Sequence, residues 1–309
     1  MFEYFLTVVQ QIFSMALMVL VGYAIYKAKM ISEEGLKSMS NLLMKIVTPM
    51  ILISSFQRQF SGDLMLDWTA MFVVAVLTYG VQMLLAWIFY RNPKSHAFAE
   101  NRMSIVMPNN GFLAFPLMQA LAGENGIFLG STNVIILNIL LWTYGVKHLK
   151  SDEKINIKKI LLNPGVIAVV LGLLLFVSPV KLPQPVFNAI DAIGALNTPL
   201  AMIILGGLLA QTDLKKCLSQ FGFYKISFIK LILLPIIMMF IFKLLPISGN
   251  VMLVSFICSV TPVATAVGML SQLYDGDYRY ATGSIIITTV LSAITMPIIL
   301  AIGSGILGY

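Results

Sequence analysis

The chain is predicted to be an all-α polytopic membrane protein of ten transmembrane helices, arranged as two inverted five-helix repeats. Three observations predict it. Hydrophobic residues make up 59% of the 309 and charged residues only 11%, with a mean hydropathy of +0.91, whereas soluble domains carry about 25% charged residues. Apolar runs of about 20 residues, the length that crosses a bilayer, recur between short polar breaks. Proline-containing polar interruptions also recur at matching places in the two halves of the chain.

The spans are expected near 5–26, 37–57, 68–90, 101–120, 126–147, 163–178, 186–211, 222–243, 250–272 and 280–303. The sixth is short, and its Asn163-Pro164-Gly165 start suits a helix N-terminus with proline in the first turn. The loops are too short for a soluble domain. The net charge of +7 sits in those short loops, so no nucleic-acid partner is expected; the bilayer itself is the partner. The first residues, Met1-Phe2-Glu3-Tyr4-Phe5, lack the basic region of a cleaved signal peptide. Cys217 and Cys258 are far apart, which leaves disulfide and metal readings little support, and no cofactor is expected.

Alternate loops differ sharply in charge. One set holds Lys27, Lys29, Lys37, Arg91, Lys94, Arg102, Lys147, Lys150, Lys154, Lys158, Lys159, Lys215, Lys216, Lys225 and Arg279; the other holds Arg58, Lys181 and Lys243. Fifteen against three makes the first set cytoplasmic by the positive-inside rule. Both termini of a ten-span protein in the cytoplasmic membrane then face outside.

Span 2 contains Thr48-Pro49 and span 7 contains Asn197-Thr198-Pro199; span 4 breaks at Pro108 and span 9 at Pro262. Pro49 and Pro199 are 150 residues apart, and Pro108 and Pro262 are 154 apart, about half the chain in each case. Five spans is an odd number, so the second half (160–309) enters the membrane from the side opposite to the first (1–150). Paired breaks in inverted repeats point to a substrate site near the bilayer midplane.

The breaks carry the chemistry. Within Met107-Pro108-Asn109-Asn110-Gly111-Phe112-Leu113-Ala114-Phe115-Pro116, Pro108 has no N–H and crowds the Ser104 carbonyl, and Gly111 weakens the helix. A single proline would read as a kink repaired by neighbouring helices. The matching break at Thr261-Pro262-Val263 favours a cavity instead, because unpaired backbone survives at membrane depth only where protein or a wet cavity satisfies it. Half-helix ends there would favour a carboxylate through their N–H groups and dipoles. Asn109 and Asn110 add amides, and Thr48, Thr198, Thr261 and Thr265 add hydroxyls, although threonine in a membrane helix often bonds only its own helix.

Lys45 lies near the middle of span 2, four residues before Pro49. It reads either as an anion-attracting charge, or one standing in for a transported cation, or as a lysine that snorkels to the membrane edge. Lys230 is similarly deep, but no break is expected in its helix, and it reads as snorkelling. No Asp or Glu is expected in the central part of any span; Asp191 is the nearest case, and Asp213 lies near a span end. His96 and His148 sit beside lysines and read as surface residues. No catalytic or metal constellation lies at one membrane depth, so an enzyme is not expected. The methionines read as packing filler.

The stretches "NNGFLAFP", "NTPLAMIILGGLLA", "NPGVIAVVLG" and "TPVATAVGMLSQLYDGDYRYATGSIIITTVLS" resemble the auxin efflux carrier family of membrane transporters, in the right order and over essentially the whole chain. Its bacterial branch includes permeases for malate-like and other organic acids, and its plant branch exports auxin. The resemblance implies ten helices with helices 4 and 9 crossing at prolines. It also implies a homodimer packed through a scaffold domain (helices 1, 2, 6 and 7), with elevator movement of the remaining helices (3–5 and 8–10). It places Asn138, in "NVIILNILLW", near the site; the alternative is an interhelical hydrogen bond. Ala114 stands where many members have glycine, and Lys45 where a neutral residue is expected.

The expectation is therefore a secondary transporter of a small organic anion. Its binding residues are Pro108, Asn109, Asn110, Gly111, Asn138, Thr261, Pro262 and Val263, with Lys45 and Thr48 nearby. The rivals are a cation or cation/proton exchanger on the same fold, and a membrane receptor that binds without transporting.

Overall fold

A computed structural model describes residues 2–150, 157–178, 180–211 and 217–309. Lys154, Asp213, Lys215 and Lys216, invoked above, lie outside the described residues. Among the described residues every regular element is helical apart from one isolated bridge. Helix α1 (Phe2–Lys27) is the first predicted span, α2 (Glu33–Leu42) with α3 (Thr48–Phe56) the second, and α4 (Gly62–Phe89) the third. Helix α5 (Phe98–Val106) and the start of α6 (Phe115–Leu140) carry the fourth, and the rest of α6 with α7 (Val146–Leu149) the fifth. After α8 (Ile157–Leu161) come α9 (Pro164–Val177), then α10 (Gln184–Ala195) and α11 (Asn197–Gln211) in the seventh. Helices α12 (Phe221–Phe228) and α13 (Leu234–Leu244) make the eighth, α14 (Gly249–Val260) and α15 (Thr265–Leu273) the ninth, and α16 (Tyr278–Leu307) the last.

Among the described residues, seven continuous stretches are long and apolar enough to cross a bilayer: Val8–Lys27, Glu33–Phe56, Gly62–Phe89, Asn110–Leu149, Gln184–Gln211, Phe221–Leu244 and Tyr278–Leu307. Pro164–Val177 and Gly249–Val260 are apolar but shorter. The fourth and ninth predicted spans are cut at their breaks, so neither half is long enough alone. The far half of the fourth then runs into the fifth through Gly123, whose φ of 58° and ψ of −143° suit glycine and strain other residues. The sixth begins as its residues predict: Asn163 Oδ1 accepts from Gly165 N at 2.9 Å and Val166 N at 3.4 Å, with Pro164 in the first turn.

Proline also shapes the other helices. Three π-turns, Leu43–Val47, Asn110–Ala114 and Ile229–Leu233, lie directly before Pro49, Pro116 and Pro235. Each proline lacks an N–H and would clash with the carbonyl four residues back. The chain relieves the clash by widening one turn, so that Thr48 N donates to Leu43 O, Phe115 N to Asn110 O and Leu234 N to Ile229 O, each five residues back. The irregularity expected at Lys45 is there. The expectation of an unbroken helix around Lys230 is corrected: Pro235 imposes the same widened turn on it.

Polar and apolar surfaces are inverted relative to a soluble protein. Leu20, Val73, Leu174, Phe240 and Ile294 are exposed on the outside, while Gln82, Asn109, Asn110, Thr261, Thr288 and Lys230 are buried. That is what a hydrocarbon solvent selects. Helix α1 packs along α11, α3 against α9 and α10, and α6 and α14 against α4. The α1–α11 contact depends on small residues: a Cβ on Gly22 would run into the Ile203 carbonyl, and one on Gly206 into the Val19 carbonyl. Missing side chains there let the two backbones approach.

Candidate functional site

The two breaks meet. Helix α5 ends at Val106, and Met107 is extended, with φ −104° and ψ 102°. Helix α14 ends at Val260, and Thr261 and Ala264 are likewise extended. The two extended pieces run antiparallel, joined by an isolated bridge between Pro108 and Val263. Asn109 N donates to Pro262 O and Ala264 N to Met107 O, each at 2.9 Å. Each break thus supplies backbone partners for the other, which removes much of the cost of opening a helix away from water.

Side chains complete the junction. Thr261 Oγ1 is 3.0 Å from Asn110 Oδ1 and 3.0 Å from the Cys258 carbonyl, so its one proton is shared between them. Asn110 Nδ2 donates to Asn133 Oδ1 at 3.2 Å. Val263 N donates to Thr288 Oγ1 at 3.2 Å, and the Ser104 and Ser284 hydroxyls lie 3.0 Å apart. Asn109 differs from its neighbour: it is 4% exposed, and its Nδ2 has no hydrogen-bond partner among the described residues. A buried amide donor without an acceptor costs about 1–3 kcal/mol. Two helical runs begin at this junction without a side-chain cap, the π-turn after Asn109 and α15 after Ala264. The N-terminal ends of these two runs and the C-terminal ends of α5 and α14 all meet the junction, so uncapped N–H donors stand there beside helix-end carbonyls.

The other matched pair of prolines also brings its neighbourhood together. Thr48 Oγ1 donates to Asn197 Oδ1 at 3.0 Å, and Asn197 Nδ2 donates to the Gly111 carbonyl at 3.3 Å. Asn197 is fully buried and ties both spans 2 and 7 to the break in span 4.

Pro108, Asn109, Asn110, Gly111, Thr261, Pro262 and Val263 are therefore assembled in one place, with Thr48 one residue removed through Asn197. Lys45 is not among them: its side chain is exposed, and it makes none of these contacts. Asn138 turns back on its own helix, donating to the Val134 carbonyl at 2.8 Å, and the amide that reaches Asn110 is Asn133. Five residues of α-helix rotate a side chain by about 140° from its starting direction, so the two asparagines face different neighbours. Both stand in the "NVIILNILLW" stretch, and phase alone separates them.

Two further expectations, on Lys230 and His148, are corrected, and a carboxylate that sequence reasoning passed over proves to be buried at a helix end. Lys230 does not snorkel: it is fully buried, and its Nζ donates to the Ile105 carbonyl at 2.8 Å. Glu100 is a buried carboxylate at the start of α5, accepting from Asp277 N at 2.8 Å. His148 is half-buried rather than a surface residue. Arg102 Nη1, which can only donate, lies 2.8 Å from its Nε2, so Nδ1 carries the proton toward the Tyr144 carbonyl, also 2.8 Å away. His96 is exposed as expected, 3.6 Å from Asp277.

An apolar exterior around paired helix breaks is the architecture of a multi-pass membrane transporter, and comparison supports that class. The family described as membrane transport protein matches residues 7–300, so the chain belongs to that family, the family of the auxin efflux carriers. An uncharacterized transporter of Methanocaldococcus jannaschii is 25% identical over 293 residues, covering 91% of this chain and 94% of that protein. An uncharacterized transporter of Methanothermobacter thermautotrophicus is 22% identical over 296 residues, covering 94% and 96%. Family and relatives indicate a transporter and not an enzyme.

Proposed function

We propose that the protein is a secondary transporter of a small organic anion, a mono- or dicarboxylate of the malate or auxin kind, acting in the cytoplasmic membrane with both termini outside. The observation that carries this reading is the buried Asn109 amide, a donor with no acceptor, at a junction where two uncapped helical runs begin. A carboxylate oxygen supplies the missing acceptor and suits the N-terminal ends of the two runs. No carboxylate side chain hydrogen-bonds to this junction among the described residues, which favours an anionic over a cationic cargo.

In this reading the chain is two inverted repeats, 1–150 and 160–309, with helices 4 and 9 crossing near the bilayer midplane. Spans 3–5 and 8–10 move against spans 1, 2, 6 and 7, which also form a homodimer. The close packing of α1 on α11 and of α3 on α9 and α10 supports treating the second group as one scaffold. Asn197, which holds Thr48 and reaches Gly111, would then be a contact that movement breaks and remakes.

Uptake of radiolabelled malate and indole acetate into proteoliposomes tests the site. A hydrogen bond to a charged group contributes about 1.5–3 kcal/mol, so Asn109→Ala with Asn110→Ala should lower uptake at limiting substrate by at least about tenfold. Undiminished uptake by the double variant would remove the junction as the binding site. Current driven by an inorganic cation gradient without any acid would favour the exchanger reading, and binding without flux the receptor reading.

A further inference from the structure

We propose that Lys230 is a proton acceptor linked to anion binding, so that each anion bound at the Pro108–Pro262 junction brings a proton onto Lys230 Nζ. The inference rests on the carboxylate reading above and adds the coupling ion to it. Lys230 is fully buried, in the widened turn before Pro235, and donates to the Ile105 carbonyl at 2.8 Å. Ile105 belongs to the last turn of α5, three residues before Pro108, so Lys230 touches the helix end from which the break hangs.

An ammonium has three N–H groups to place, and one hydrogen bond from Lys230 is seen. The elements packed on its turn are α12, α13, α14 and α16, and α5 meets it through Ile105. The titratable or charged groups on their inner faces are Cys258, Glu100, Arg102 and Tyr280. Glu100 is taken by Asp277 N, Arg102 by Tyr90 O and His148, and Tyr280 by Asn101, while Cys258 is neutral as a buried thiol. None of the four hydrogen-bonds or ion-pairs with Lys230, and no other charged group among the described residues does.

A buried cation without a counter-charge is strongly disfavoured, in a membrane protein as in any interior. A carboxylate at the junction, which begins at Met107 and Pro108 just past the α5 end that Lys230 touches, supplies that counter-charge. Anion binding therefore favours the ammonium, and by reciprocity protonation favours anion binding. The proton comes from water on the side to which the site is open and adds to the Nζ lone pair. After the anion leaves on the other side, the ammonium returns its proton to the water there. One N–H bond forms and breaks per cycle, and the anion and proton travel together.

The test measures proton uptake on binding. Malate is added to the full-length protein in weakly buffered detergent solution with a pH indicator dye, against a chloride control, and binding is followed by calorimetry. The wild type should take up about one proton per malate bound. Lys230→Met should bind malate more weakly and take up none; Lys230→Gln, read the same way, serves if the methionine variant is not monodisperse. Wild-type binding without proton uptake, or undiminished uptake in the variants, overturns the role of Lys230 and leaves the carboxylate site standing. A wild type that binds none of a panel of carboxylates overturns both.

Discussion

Thr48 and Asn197, 149 residues apart, share a 3.0 Å hydrogen bond. Thr48 precedes Pro49 and Asn197 lies two residues before Pro199, while the segments around the other matched prolines, Pro108 and Pro262, are tied by backbone hydrogen bonds. Both pairs of matched interruptions therefore meet in space. At Pro108 and Pro262 the backbone that each break opens is satisfied by the other, whereas near Pro49 and Pro199 the meeting is between side chains.

Asn197 is the connection between the two pairs, because its amide also reaches the Gly111 carbonyl at 3.3 Å. Replacing it with alanine removes both bonds and leaves the Gly111 carbonyl without this donor. Hydrogen bonds between membrane helices contribute about 0.6 kcal/mol on average and up to about 1.7. Asn197→Ala should lose about 1–3 kcal/mol, read as a lower thermal unfolding midpoint in detergent. Asn197→Asp keeps the acceptor for Thr48 but not the donor for Gly111, so it should not restore the midpoint. An unaltered midpoint for Asn197→Ala would show that this contact carries no stability.

Thr261 orients Asn110. With Thr261→Val the shape is kept, but Asn110 Oδ1 loses the hydroxyl 3.0 Å away while remaining buried. The expected cost is about 1 kcal/mol, together with a raised KM for the transported acid, because the neighbouring amide is no longer held. Thr261→Ser retains the hydroxyl and should stay near wild type in both measurements. Equal behaviour of the valine and serine variants would deny the hydroxyl this role.

The α1–α11 contact makes the third prediction. Gly206→Leu places a side chain against the Val19 and Tyr23 backbone, which cannot yield as a flexible side chain would. Folded yield, read by size-exclusion chromatography, should fall steeply. Gly80, inside α4, faces open space, and Gly80→Ala should be neutral or stabilising by up to about 1 kcal/mol, since glycine is a poor helix former. If Gly206→Leu elutes as wild type does, the two backbones are not held together by this contact.

The amino-acid sequence by itself determined the membrane class and the places where helices open. Both follow from short-range causes: apolar runs long enough for hydrocarbon, and prolines that remove a donor and clash one turn back. Pro108, Pro262, Pro49 and the cap at Asn163 are legible for that reason. Only the tertiary structure decided that Asn133 and not Asn138 meets Asn110, that Asn197 bridges Thr48 and Gly111, and that Lys230 rather than Lys45 is buried. Which face of a helix turns inward depends on its rotation against neighbours distant in the chain. Hydropathy along a span apolar on every side leaves that rotation open, and packing closes it.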